Sequence, residues 1–215
     1  MTALVVAVAA AVGLAAGLAG RRWTDREAGA VTPAWVHAAL GAALCAIVAW
    51  RFGLSWNLPP YMYFALVTGP LTIVDLRAHR LPNVLTLSSY PIVAGLLALT
   101  ALADHRGSDL VRALLGGAVV LAFYAVLHLV NPAGMGLGDV KLAGPMGALL
   151  GWLSWSVVLV GGFLGFALGA VAGIALLVAR RAGRKSALPF GPFMLAGAWI
   201  AICASEAISG LGLLP

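Results

Sequence analysis

Charged side chains make up only 9% of these 215 residues, against 62% that are hydrophobic, and the mean hydropathy is +1.03. A water-soluble domain gives roughly 25% of its residues to charge, so this chain cannot clothe a surface in water, and most of it must face lipid. Cysteine is nearly absent too. Cys45 and Cys203 lie far apart inside apolar runs, without the paired spacing of a zinc site or disulfide framework, and read as small buried hydrophobes. Lys and Arg never cluster with interleaved aromatics on an amphipathic stretch, which excludes nucleic acid as a partner despite a net charge of +6. The chain also lacks a His-Glu-x-x-His string, a Gly-x-Ser-x-Gly string and a phosphate-binding glycine loop, so no metal, nucleophilic serine or cofactor is expected.

What is present is a series of long apolar runs. A hydrocarbon core of about 30 Å takes roughly 20 residues of helix. Residues 2–20, 33–50, 58–75, 84–103, 110–130 and 156–179 meet that rule, while 140–154 and 189–209 are shorter or interrupted by Pro and Gly. The expected fold is all-α, a polytopic membrane helix bundle of about eight transmembrane helices, forming one domain over residues 1–215 with lipid around it. The first run has no basic residue before it and Arg21, Arg22 and Arg26 after it, the reverse of a secretory signal, and is expected to be a retained helix with an outward N-terminus. Alternate loops then collect Arg21, Arg22, Arg26, Arg77, Arg80, Lys141, Arg180, Arg181, Arg184 and Lys185 on the inner side. Only Arg51, Arg106 and Arg112 fall on or beside the outer loops. Topology accounts for these charges without a ligand. Gly161, Gly165, Gly169 and Gly173 recur at every fourth position, as do Gly13 and Gly17, and would let helix backbones approach closely in lipid. Packing within the chain is the plain reading; a homodimer through these faces is the other partner the pattern allows.

Ionisable groups near membrane depth are costly and therefore point to function. Asp75 ends the third run in Leu71-Thr-Ile-Val-Asp75-Leu-Arg77, and Asp139 opens the sixth after Gly134-Met-Gly136-Leu-Gly138. The expected topology puts both at cytoplasmic helix ends. The alternating glycines allow a tight turn that exposes peptide groups to an extended substrate. For Asp139 alone, a favourable place at a helix N-terminus is the bland alternative. Two carboxylates brought close share one proton, the state in which one activates water and the other polarises a carbonyl. Asp25, Glu27, Asp104 and Asp109 read as solvated loop acids, and Glu206 falls near the outer end of the last run. His79 is expected in a loop ended by Pro82, and His37 and His128 as lone histidines bonded to backbone carbonyls. An ion-coupled transporter or channel, or an inactive assembly component, remains the competing reading of an aspartate pair.

Three stretches resemble the signature motifs of the type IV prepilin peptidases, membrane aspartyl proteases of the Gly-x-Gly-Asp class. They are Asp75-Leu-Arg-Ala-His-Arg-Leu-Pro82-Asn83-Val-Leu-Thr86, Gly134-Met-Gly136-Leu-Gly138-Asp139-Val-Lys141-Leu-Ala-Gly, and Pro189-Phe-Gly191-Pro192-Phe. The resemblance covers roughly residues 60 to 205. It implies Asp75 and Asp139 as the catalytic pair, with Gly136, Gly138, Lys141, Pro189, Gly191 and Pro192 as candidate substrate-binding residues. It further implies removal of the basic leader of prepilins or pseudopilins, a multi-pass protein of the plasma (inner) membrane, and an active site facing the cytoplasm. Longer family members insert a cysteine-paired zinc segment after the first span and also methylate the new N-terminus. Here residues 21–32 stand in that place without Cys, and Gly17-Leu-Ala-Gly20-Arg21-Arg22 replaces the family's Gly-Ser-Phe-Leu-Asn string. A peptidase-only form is therefore expected.

Overall fold

Proline and glycine punctuate the helices. Pro33 and Pro82 precede helix starts, where a missing N–H costs nothing, and Gly53 closes the helix that follows Pro33 at positive φ. The structure, a computed structural model, describes residues 2–132, 134–179 and 189–213. Among them the elements are α1 (Thr2–Ala28), α2 (Ala34–Phe52), α3 (Leu58–Ala78), α4 (Asn83–Ala103), α5 (Gly107–Val130), α6 (Leu137–Leu153), α7 (Trp155–Val178), α8 (Gly191–Cys203) and α9 (Ser205–Gly210). The chain is an all-α polytopic membrane bundle. Its contacts divide it into two compact units, residues 1–110 and 111–215.

Five helices are long and apolar enough to cross a membrane: α1, α2, α4, α5 and the Trp155–Leu176 part of α7. The eight expected runs all fold as helix, but α3, α6 and α8 do not meet that criterion. α3 is long enough at 21 residues but less apolar, while α6 has 17 residues and α8 has 13. Burial explains α6: 13 of its residues are buried, so its surroundings are largely protein rather than lipid. The run 189–209 is divided, α8 ending at Cys203 and α9 starting at Ser205. The expected loop 21–32 is mostly helix. α1 continues through Arg21, Arg22 and Arg26 to Ala28, and its 27 residues span about 40 Å at 1.5 Å each, longer than a core of about 30 Å. The charged end can thus leave the hydrocarbon without breaking its backbone hydrogen bonds. Arg180, Arg181, Arg184 and Lys185 lie outside the described residues.

In the first unit α1 and α2 meet at glycine. A Cβ on Gly13 would overlap the Gly41 carbonyl, and one on Gly17 the His37 carbonyl. Val74 and Ile73 of α3 pack with Ala28, Val36, Leu40 and Ala78. Tyr63 and Ser89 join α3 to α4 through their hydroxyls at 3.0 Å. In the second unit α5 and α6 approach through Gly116, Gly117, Gly147 and Gly151, and α7 and α8 through Gly165 and Gly197. The glycines at 13, 17, 161 and 165 are therefore occupied by neighbouring helices of the same chain. Arg112 of α5 donates from Nε to the Gly151 carbonyl and from Nη2 to that of Trp152, both at 2.7 Å, satisfying acceptors that the end of α6 leaves open.

Candidate functional site

In the first unit, Asp75 lies in the last turn of α3 and is 5% exposed, next to the fully buried Val74. Its backbone carbonyl accepts the His79 N–H at 2.9 Å, and His79 caps the helix in the left-handed conformation. His79 is thus outside the helix, as Pro82 predicts. The end of α1 lies beside this end of α3, because exposed Arg80 donates to the Glu27 carboxylate at 2.9 Å. Asp25 is not the solvated loop acid expected. Its Oδ1 accepts the Thr32 N–H at 3.0 Å and stands 3.1 Å from His37 Nε2, with the two side chains 14% and 2% exposed. His37 is therefore partnered by a carboxylate rather than a carbonyl. Glu27 lies in helix too, and Asp109, in the first turn of α5, pairs with Arg106. Asp104 is exposed at the end of α4, and Glu206 is exposed on α9.

In the second unit, Gly136 caps α6 in extended conformation and Asp139 is the third residue of that helix, 7% exposed. The Asp139 N–H donates to the Gly136 carbonyl at 3.1 Å, and a Cβ on Gly136 would come 3.1 Å from Asp139 Oδ2. Glycine at 136 thus leaves the carboxylate room to fold back over the turn. Gly138 and Lys141 are half-buried on α6. The first-turn position puts the Asp139 charge at the positive end of the α6 dipole, whereas Asp75 stands at the negative end of α3. The third motif opens α8: Pro189 precedes it, Phe190 caps it, Gly191 is buried at its first position, and Pro192 follows. Phe190 packs on Phe166 of α7, centroids 5.0 Å apart, and on Tyr124 of α5 at 6.0 Å.

Sequence reasoning missed Tyr124, Arg112 and the Asp25–His37 pair, all of which take their meaning from a second helix. His128, by contrast, is satisfied as expected, its Nδ1 lying 2.7 Å from the Met135 carbonyl. Among the described residues, no group of three or more His, Cys, Asp or Glu side chains could hold a metal ion.

Curated relatives resemble this chain in sequence. The chain is 32% identical over 173 residues to a prepilin leader peptidase/N-methyltransferase of Aeromonas salmonicida, covering 79% of this chain and 57% of that protein. It is 30% identical over 175 residues to one of Pseudomonas aeruginosa (78% and 57%), and 28% over 167 residues to one of Bacillus subtilis (78% and 64%). The chain thus spans somewhat over half the length of these relatives. No solved structure matches it. The type IV leader peptidase family matches residues 61–178, a segment that contains both buried aspartates and more than half of the chain, and this protein belongs to that family.

Proposed function

We propose that this protein is an aspartic endopeptidase that removes the basic leader from prepilins or pseudopilins, with Asp75 and Asp139 as its catalytic pair. The observation that carries the reading is that both motif aspartates are buried at helix ends of opposite polarity. The N-terminal dipole of α6 favours charge on Asp139, and the C-terminal dipole of α3 disfavours it on Asp75. That difference supports a division of roles. Ionised Asp139 takes a proton from water as its oxygen attacks the scissile carbonyl carbon, while protonated Asp75 gives its proton to the carbonyl oxygen. Collapse of the tetrahedral intermediate then breaks the C–N bond: one hydroxyl returns its proton to Asp75 as the carbonyl re-forms, and the nitrogen leaves with the proton held by Asp139. Gly136, Gly138 and Lys141, with Pro189, Gly191 and Pro192, hold the extended junction, the glycines by exposing peptide groups.

The leader stays in the cytoplasm and the apolar segment that follows it packs in the plasma (inner) membrane, so the catalytic pair faces the cytoplasm. The basic end of α1 repels a Lys-rich leader, which leaves recognition to the apolar segment and the junction. Leader removal proceeds without methyl transfer, a reading supported by the short stretch between α1 and α2, residues 29–33, which contains no Cys.

Purified chain incubated with pilin candidates of its own organism tests the reading. Asp75→Asn and Asp139→Asn should each fold and each lose cleavage by at least about 10²–10⁴-fold, the usual contribution of a positioned acid or base. Leader removal by both purified variants at the wild-type rate would end the proposal. A labelled methyl donor in the same reaction should leave the cleaved pilin unlabelled.

A further inference from the structure

α5 and α6 run antiparallel, and their contacts fix a register. Gly116 lies against Gly147 and Gly151, Gly117 against Gly144 and Ala148, and Val120 against Gly147. Two turns further along α5, His128 reaches the Met135 carbonyl just before α6 begins. Tyr124 stands between these contacts, and the register sets it level with Asp139 and Val140. Its ring is fully buried, held by Phe166 at 5.3 Å and Phe190 at 6.0 Å between centroids. Its hydroxyl is buried and has no hydrogen-bond partner among the described residues. The phenol and the Asp139 carboxyl interact electrostatically.

A buried hydroxyl without an acceptor is rare because its lost hydration goes uncompensated. The register brings one carboxylate, that of Asp139, to the level of this hydroxyl. We propose that Tyr124 is the positioning residue of Asp139: in the working enzyme its hydroxyl donates to the Asp139 carboxylate, fixing its direction and favouring the ionised form that activates water. Phe190 gives the third motif a share in this, because it packs the ring that carries the donor. The inference rests on the reading of Asp139 as the catalytic base. Among the described residues of this unit, the other titratable or charged groups near that level are His128 on α5 and Lys141 on α6 itself. α7 carries none, and Arg112, Cys203 and Glu206 stand far along their helices.

Tyr124→Phe removes the donor and keeps the ring. Its thermal unfolding should match wild type, while kcat falls about tenfold with KM little changed. With the donor gone, Asp139 takes up its proton at higher pH, so the acidic limb of the kcat/KM profile should move up by about one pH unit. An activity-independent measurement separates this inference from the proposed function. The infrared C–O band of Tyr124, isolated as the wild-type minus Tyr124→Phe difference, should shift in Asp139→Asn. An unmoved band in Asp139→Asn overturns the inference, whether or not the wild-type chain cleaves pilin. So does a Tyr124→Phe enzyme with the wild-type pH profile. A band that moves with substrate but not with Asp139→Asn would assign the donor to substrate and equally overturn it.

Discussion

Replacing Gly197 with alanine tests whether backbone contact, rather than side-chain burial, holds the second unit together. A Cβ there would stand 2.5 Å from the Gly165 nitrogen and 3.0 Å from its Cα, whereas ordinary contact begins at 3.4 Å, so α7 and α8 must part by about 0.9 Å. Neither obstructing atom can swing aside, because both belong to helix backbone. Overpacking of this kind costs about 1–3 kcal/mol, and rigid partners place it toward the upper end. Alanine also gains about 1 kcal/mol over glycine in a helix interior, which partly masks the loss. Gly162 supplies the control, since it lies on α7 with nothing within 4 Å of its added Cβ. Subtracting Gly162→Ala from Gly197→Ala cancels the propensity gain and leaves the overpacking term alone. Thermal unfolding in one detergent should place Gly197→Ala roughly 4–10 °C below Gly162→Ala, taking about 2–4 °C per kcal/mol for a chain of this size. Equal melting temperatures would refute the close approach of α7 and α8, and with it the reading of the glycine repeat as an internal packing face.

Three further outcomes follow from polar contacts. A double-mutant cycle of Asp25→Asn and His37→Ala, followed by denaturant unfolding, should return a coupling of about 1–3 kcal/mol, because the pair is shielded and hydrogen-bonded; a coupling near zero would show that the contact does not hold. Arg80→Ala should cost less than about 1 kcal/mol, its guanidinium being largely exposed, and that small loss should shrink further in high salt. Arg112→Met should cost about 1–3 kcal/mol by stripping a charged donor from the carbonyls at the end of α6. Faster backbone hydrogen exchange at residues 154–156, just beyond that end, is the local readout.

How far the sequence discloses the molecule depends on how many helices a feature involves. Helix existence was legible because lipid demands long apolar runs, and Asp75 and Asp139 stood out because charge is so scarce among them. Helix ends were less legible. Hydropathy stops α1 near Gly20, but backbone hydrogen bonding continues it to Ala28 through Arg and Glu, residues that favour helix once outside the hydrocarbon. The division between α8 and α9 has no local mark at all, as neither Cys203 nor Ser205 is a helix breaker.

Features that need two helices were invisible for a physical reason. Asp25 and His37 are twelve residues apart on different elements, so no helical period links them, and one looked like a surface acid while the other looked like a lone core histidine. Tyr124 looked like any aromatic in an apolar run until the glycines of α5 and α6 fixed their register. Those glycines set position, as the aspartates carry the proposed chemistry. Without them α5 and α6 would stand farther apart, the level of Tyr124 relative to Asp139 would be unspecified, and a hydroxyl in an apolar helix would have no acceptor to explain its burial. The glycines at 116, 117, 147 and 151 therefore bear on the proposed active site as much as on the fold.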